Sequence, residues 1–119
     1  MVEAGYAGMP AWKRALELYD EIVRIAALLP DDAGYWFVED LTRTALRIPS
    51  RIARGHRRLL RGEFSRNIAA ARGSLARLET LLYFAQRCHG LTEHDLQRAH
   101  DLCDEIRELL PEQRDPDDW

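Results

Sequence analysis

The chain has 119 residues, of which 46% are hydrophobic, and a formal net charge of −3 at pH 7. This length fits a single domain with a buried core, and no stretch approaches the roughly 20 uncharged apolar residues that cross a bilayer. Cys88 and Cys103 are too few for a disulfide framework, and the N-terminus lacks the basic start and apolar run of a secretory signal. We therefore expect a cytoplasmic protein.

Apolar residues recur at steps of three and four along the chain, which predicts helices rather than strands. The first predicted helix covers residues 11–29 and ends at the turn-forming sequence PDDAG. The second begins near residue 35, and its apolar stripe continues through Pro49 to residue 59, so the proline lies inside the helix and bends it. The third covers residues 63–89 and is followed by Gly90, a common C-terminal cap.

The fourth predicted helix follows Thr92, which suits an N-cap because Asp95 lies three positions later, and it stops at Pro111. The segment PEQRDPDDW, residues 111–119, is too polar to pack, and we expect an acidic, disordered tail. Short connections make successive helices antiparallel. The sequence therefore predicts an all-α, antiparallel up-down-up-down four-helix bundle over residues 1–110, with a proline-kinked second helix.

The charges are segregated along the chain. Residues 43–87 contain eleven arginines and two acidic residues, whereas the segments before and after them have net charges of −5 and −7. At about 100° per residue, most arginines of the second helix fall on one face, opposite the apolar stripe. The candidate contact residues are Arg43, Arg47, Arg51, Arg54, Arg57, Arg58 and Arg61.

Three interpretations of these arginines stay open. They form a solvated surface whose mutual repulsion is screened by salt, or they contact acidic patches in the same or another subunit, or they bind the phosphate backbone of a nucleic acid. The segregation of charge supports an anionic partner or complementary contacts between subunits.

Two features suggest chemistry but have simpler explanations. Arg51 and His56 fit the loose R-x4-6-H pattern of metal-independent HEPN-type ribonucleases, in which these groups hold phosphate and transfer protons, although this spacing is common in an arginine-rich chain. Two cysteines and three histidines lie within residues 88–103 and could suggest a zinc site, but they lack the paired spacing of one. Gly73, in the middle of a helix, favours close approach of another helix or subunit. We expect no catalytic residue, metal or cofactor.

Two segments resemble a known family. Residues 40–55, DLTRTALRIPSRIARG, are similar to a family motif that runs approximately QLRRAAxSIPSNIAEG. Residues 63–80, EFSRNIAAARGSLARLET, are similar to a second block near EFxRFLxIARGSLAELET, and Trp12, Ala15 and Leu18 fit the opening WxxAxxL. Over residues 9–110 the chain thus resembles the small four-helix-bundle family named for proteins encoded in intervening sequences of bacterial 23S rRNA genes.

The resemblance implies an antiparallel four-helix bundle that assembles as a ring of five and has no enzymatic activity. A related bundle, the accessory variability determinant of diversity-generating retroelements, is a basic pentamer that works with a reverse transcriptase and its RNA. The implied partners are therefore a second copy of the chain, RNA or DNA, or a reverse transcriptase. Four polar or acidic motif positions are arginine in this chain: Arg47, Arg51, Arg54 and Arg77. These changes move the chain toward the basic accessory type, and we expect a nonenzymatic scaffold or adaptor.

Overall fold

A computed structural model of the chain describes residues 8–57 and 61–111. This part of the chain folds into four α-helices and a short 3-10 turn, without a strand, which confirms the predicted all-α four-helix fold. The helices are α1 (Pro10–Leu28), α2 (Tyr35–Arg57), α3 (Arg61–His89) and α4 (Glu93–Leu109), and the turn covers Asp31–Ala33. Of the predicted acidic tail, all but Pro111 lies outside the described residues.

The helix ends follow the local signals in the sequence. Thr92 begins α4 with a reciprocal capping box: its hydroxyl accepts the Asp95 N–H at 3.0 Å, and its own N–H donates to the Asp95 carboxylate at 2.8 Å. The hydrogen bond from the Thr92 backbone, first among several causes, holds the pKa of Asp95 below its ordinary value. Gly90 has φ of 76°, a left-handed conformation that glycine adopts without strain, and it ends α3.

One cluster of buried aliphatic side chains joins the four helices. α1 packs against α2 and α4, and α3 packs against the same two helices. Full burial of such a side chain stabilises the fold by about 1.5–3 kcal/mol. The largest fully buried residues are Leu18, Ile22 and Ile25 of α1, Leu41, Ile48 and Ile52 of α2, Leu75, Leu78 and Leu82 of α3, and Leu96, Leu102 and Ile106 of α4.

Contacts between α1 and α4 join opposite ends of the two helices. The Nε of Arg14, near the start of α1, donates to the carboxylate of Glu105, near the end of α4, at 3.1 Å. Arg24, near the end of α1, donates to the backbone carbonyl of Asp95, in the first turn of α4, at 2.9 Å. Within the described residues, no helix is both long enough and apolar enough to cross a bilayer.

The contacts between α2 and α3 also join opposite ends. The rings of Phe37 and His89 have centroids 4.8 Å apart, and Gly55 near the end of α2 lies against Asn67 near the start of α3. Pro49 lies inside α2 and is buried. The up-down-up-down order and the kink at Pro49 stay predictions.

Polar side chains link α3 to the end of α4. Arg72 donates to the backbone carbonyls of Leu110 at 3.3 Å and Pro111 at 2.7 Å, so it caps carbonyls beyond the end of α4. Two helical turns further along α3, Glu79 forms an ion pair with Arg107. Burial is the largest single influence on the pKa of Arg107 and lowers it. The attraction of Glu79 and a hydrogen bond to it act in the opposite direction, and the pKa is raised overall.

The two helical glycines Gly55 and Gly73 differ in their surroundings, which gives a test of the packing. A Cβ at Gly73 meets no atom within 4 Å, so we expect Gly73→Ala to stabilise the protein by about 1 kcal/mol through helix propensity alone. Gly55→Ala is the matched control, because its Cβ lies 3.1 Å from the Cβ of Asn67. Urea unfolding measures both. A Gly55→Ala variant as stable as Gly73→Ala would contradict the close approach of α2 and α3.

Candidate functional site

The core contacts of α2 determine which of its arginines reach the surface. Leu41, Ile48 and Ile52 are fully buried, so the opposite side of the helix faces outward. Arg43, Arg47 and Arg54 are exposed, and they lie within about 40° of one another around the helix axis. Arg51 belongs to the same set but is turned toward the core: it is half-buried, and its Nε is buried.

Three of the four α2 arginines whose side chains the structure describes lack an acidic partner among the described residues. Arg43 forms an ion pair with Glu39, one turn earlier on the same helix. Arg47, Arg51 and Arg54 make no hydrogen bond or ion pair with any described residue. Because like charges at i,i+4 repel, three unpaired guanidinium groups on one helix favour an anion brought from outside the helix.

The arginines of α1 and α4 behave differently, since every one of them has a carboxylate partner. Arg14 binds Glu17 at 2.8 Å, and Arg98 approaches the same carboxylate at 3.7 Å. The Nε of Arg24 donates to Glu21 at 2.9 Å. The arginines without a carboxylate partner among the described residues therefore lie on α2 and α3.

Two arginines of α3 extend this basic surface, and the sequence did not identify them as contact residues. Arg77 donates to the carboxylate of Asp40 on α2 at 2.7 Å, so its side of α3 adjoins α2. Arg66 lies three turns earlier on the same side, is exposed, and has no ion pair with a described residue. Their spacing of eleven residues is three helical turns, and this spacing could have indicated from the sequence that the two arginines share one side of α3. We call Arg43, Arg47, Arg51, Arg54, Arg66 and Arg77 the arginine face.

Three of the predicted contact residues cannot be placed on this face. Arg58 lies outside the described residues, as do the side chains of Arg57 and Arg61. The backbone of Arg57 ends α2 and that of Arg61 begins α3.

The helices differ strongly in charge. α2 and α3 each contain five arginines and two acidic residues, whereas α4 contains six acidic residues and two arginines. Asp101 and Glu108 of α4 are exposed and form no ion pair with a described residue. One bundle thus presents a basic surface on α2 and α3 and an acidic surface on α4, which are complementary between two copies of the chain.

The ribonuclease interpretation of Arg51 and His56 stays a prediction. Arg51 is half-buried and His56 is exposed. Five helical positions separate them by about 140° around α2, so the two side chains leave the helix in different directions.

The cysteines and histidines of residues 88–103 do not form a metal-binding cluster. No group of three or more His, Cys, Asp or Glu side chains in the described residues is arranged to hold a metal ion. Cys103 is buried in the core, and burial raises the pKa of its thiol to about 12, whereas Cys88 is exposed. The thiolate of Cys103 is therefore scarcely populated at neutral pH.

This difference predicts selective thiol chemistry. At about pH 8 we expect a thiol reagent to modify Cys88 rapidly and Cys103 only after unfolding, because the reacting species is the thiolate. Absorbance of the released reagent should report one thiol in the folded protein and two in denaturant. Rapid reaction of a folded Cys88→Ser variant would contradict the burial of Cys103.

The fold and this surface define a small four-helix protein with a basic face. The profile of the 23S rRNA-intervening sequence protein family matches residues 8–112, so the chain belongs to that family. This match confirms the resemblance over residues 9–110; the relation to the accessory variability determinant stays a prediction. No curated protein matches the sequence.

Proposed function

We propose that this protein is a nonenzymatic, homo-oligomeric scaffold that binds nucleic acid through the arginine face. The observation that supports this function is the contrast in pairing: Arg47, Arg51 and Arg54 have no partner among the described residues, whereas the arginines of α1 and α4 are all paired. Guanidinium groups bind phosphate oxygens in a bidentate manner, and a phosphate backbone supplies anions in a row.

The first test removes two exposed arginines of this face. We expect Arg47→Ala/Arg54→Ala to weaken binding to RNA or DNA and to reduce the slope of log affinity against log salt by about 2, about one for each lost phosphate contact. Fluorescence anisotropy of a labelled oligonucleotide over a series of salt concentrations measures both quantities.

The matched control is Arg14→Ala/Arg98→Ala, which changes the net charge equally on the α1 and α4 side. Both arginines bind Glu17 at the surface, where ion pairs contribute little to stability. This variant should bind nucleic acid as the unmodified protein does. Equal loss of affinity in the two variants would refute a localised site, and absence of binding by the unmodified protein would refute the proposed function.

A face of α1 supports the proposed oligomer. Leu16 and Val23 are 39% and 46% exposed, lie two turns apart on one side of the helix, and flank the half-buried Tyr19. Arg14 and Arg24 contact α4 from another side of α1, so these apolar groups do not face α4. Contiguous exposed apolar surface is a common feature of interaction sites, and we propose this row of α1 as part of the subunit contact. A ring of five is the size that the family resemblance implies.

We expect Leu16→Glu/Val23→Glu to reduce the mass of the oligomer, because each substitution places a charge in the proposed apolar contact. Light scattering after size-exclusion chromatography measures the mass. Leu28→Glu is the matched control, since Leu28 is 44% exposed on a different side of α1. A monomeric unmodified protein at micromolar concentration would refute the oligomer.

The charge distribution favours one alternative, in which the arginine face contacts the acidic surface of α4 in the next subunit. Such a contact joins two different surfaces and generates a ring when the rotation closes. It predicts that Arg47→Glu/Arg54→Glu dissociates the oligomer and that Asp101→Arg/Glu108→Arg in the same chain restores it. Our proposal predicts an intact oligomer that has lost nucleic-acid binding.

The proposal also includes a location and a further partner. Two free cysteines are compatible with the reducing cytoplasm, where we place the protein. A reverse transcriptase is the enzyme that the resemblance to the retroelement accessory protein suggests, and the scaffold would hold its nucleic acid.

A further inference from the structure

Trp36 is the most exposed large apolar side chain in the described part of the chain. It lies in the first turn of α2 and is 80% exposed, and the neighbouring Tyr35 is 72% exposed. The two rings meet edge to face with centroids 5.6 Å apart. Burial of an indole ring away from water is favourable. A ligand that covers Trp36 therefore gains binding free energy from the apolar surface that it buries.

Trp36 continues the row of arginines on α2. At about 100° per residue it lies within about 40° of Arg43, Arg47 and Arg54 around the helix. Over the eighteen residues from Trp36 to Arg54 the helix rises by about 27 Å. An extended strand along this face therefore meets an aromatic ring at one end and guanidinium groups along the remainder.

The carboxylates beside Trp36 do not oppose an anionic strand. Glu39 is bound by Arg43, and Asp40 is bound by Arg77 at 2.7 Å. These four groups sum to no net charge. The attraction for phosphate comes from Arg47, Arg51 and Arg54 further along α2.

An open cleft of about 200 Å³ adjoins the indole. Its lining residues are Trp36, Glu39, Asp40 and Arg43. Indole and guanidinium groups both stack on planar rings, so the two ends of this lining suit an unpaired base. A duplex keeps its bases stacked on one another, so their faces are not available to the indole.

We propose that Trp36 is a base-stacking residue and that the arginine face together with Trp36 binds single-stranded nucleic acid in preference to duplex. The inference rests on the proposed nucleic-acid function and specifies which form of nucleic acid the protein binds. Stacking of a base on an aromatic side chain changes affinity by about 5- to 150-fold.

The experiment compares a labelled single strand of about 12 nucleotides with the duplex of the same sequence, as RNA and as DNA. We expect the single strand to bind more tightly, Trp36→Ala to lower its affinity by about 5- to 150-fold, and Trp36→Phe to retain most of it. Duplex affinity should be the same for all three proteins. Because Trp36 is exposed, these variants should match the unmodified protein in thermal unfolding.

Two controls separate stacking from other effects. Tyr83→Ala removes an aromatic ring that is 55% exposed on α3 and should leave single-strand affinity unchanged. Tryptophan fluorescence should be quenched by the single strand, and Trp36→Phe should abolish that quenching although it still binds.

The outcomes also separate this inference from the function on which it rests. Equal binding of single strand and duplex, both unaffected by Trp36→Ala, would overturn the inference and leave the proposed function intact. Equal loss of both affinities in Trp36→Ala would overturn the single-strand preference. Binding of neither form by the unmodified protein would overturn the proposed function itself.

Discussion

Burial of one aliphatic face from each helix is the constraint on which the rest of the structure depends. Once Leu41, Ile48 and Ile52 enter the core, the rotation of α2 about its axis is fixed, and the positions of Arg47 and Arg54 on the outside follow. No specific polar contact is needed to display these arginines. Removing an aliphatic side chain of this size from a core costs about 2–5 kcal/mol, so the display is as robust as the core itself.

The outward display does not explain why Arg47, Arg51 and Arg54 have no partner among the described residues. On α1 and α4, carboxylates lie within reach at i,i+3 or on the facing helix, as Glu17 does for Arg14. Between residues 43 and 87 the acidic residues are Glu63 and Glu79, and Glu79 already binds Arg107. The α2 arginines therefore have few carboxylates nearby in the sequence to pair with. An anionic group of another molecule can supply the missing partner.

The sequence predicted what depends on one helix at a time. The three-four period located all four helices, and Thr92 and Asp95 located the start of α4, because capping is a contact within one turn. It did not predict that Arg72 caps carbonyls beyond α4 or that Arg66 and Arg77 join the arginine face, since both depend on how two helices lie against each other. Gly55, not Gly73, lies at the close approach within the chain for the same reason.

The family motifs divide into residues that hold the bundle and positions that this chain has changed. Arg72 and Glu79 match the second motif, and both bind the end of α4, so their role is structural. Of the four motif positions that have become arginine, Arg77 links α3 to α2, whereas the other three are Arg47, Arg51 and Arg54, the unpaired set. Family membership therefore accounts for the fold, while the changed positions form the surface whose function is proposed.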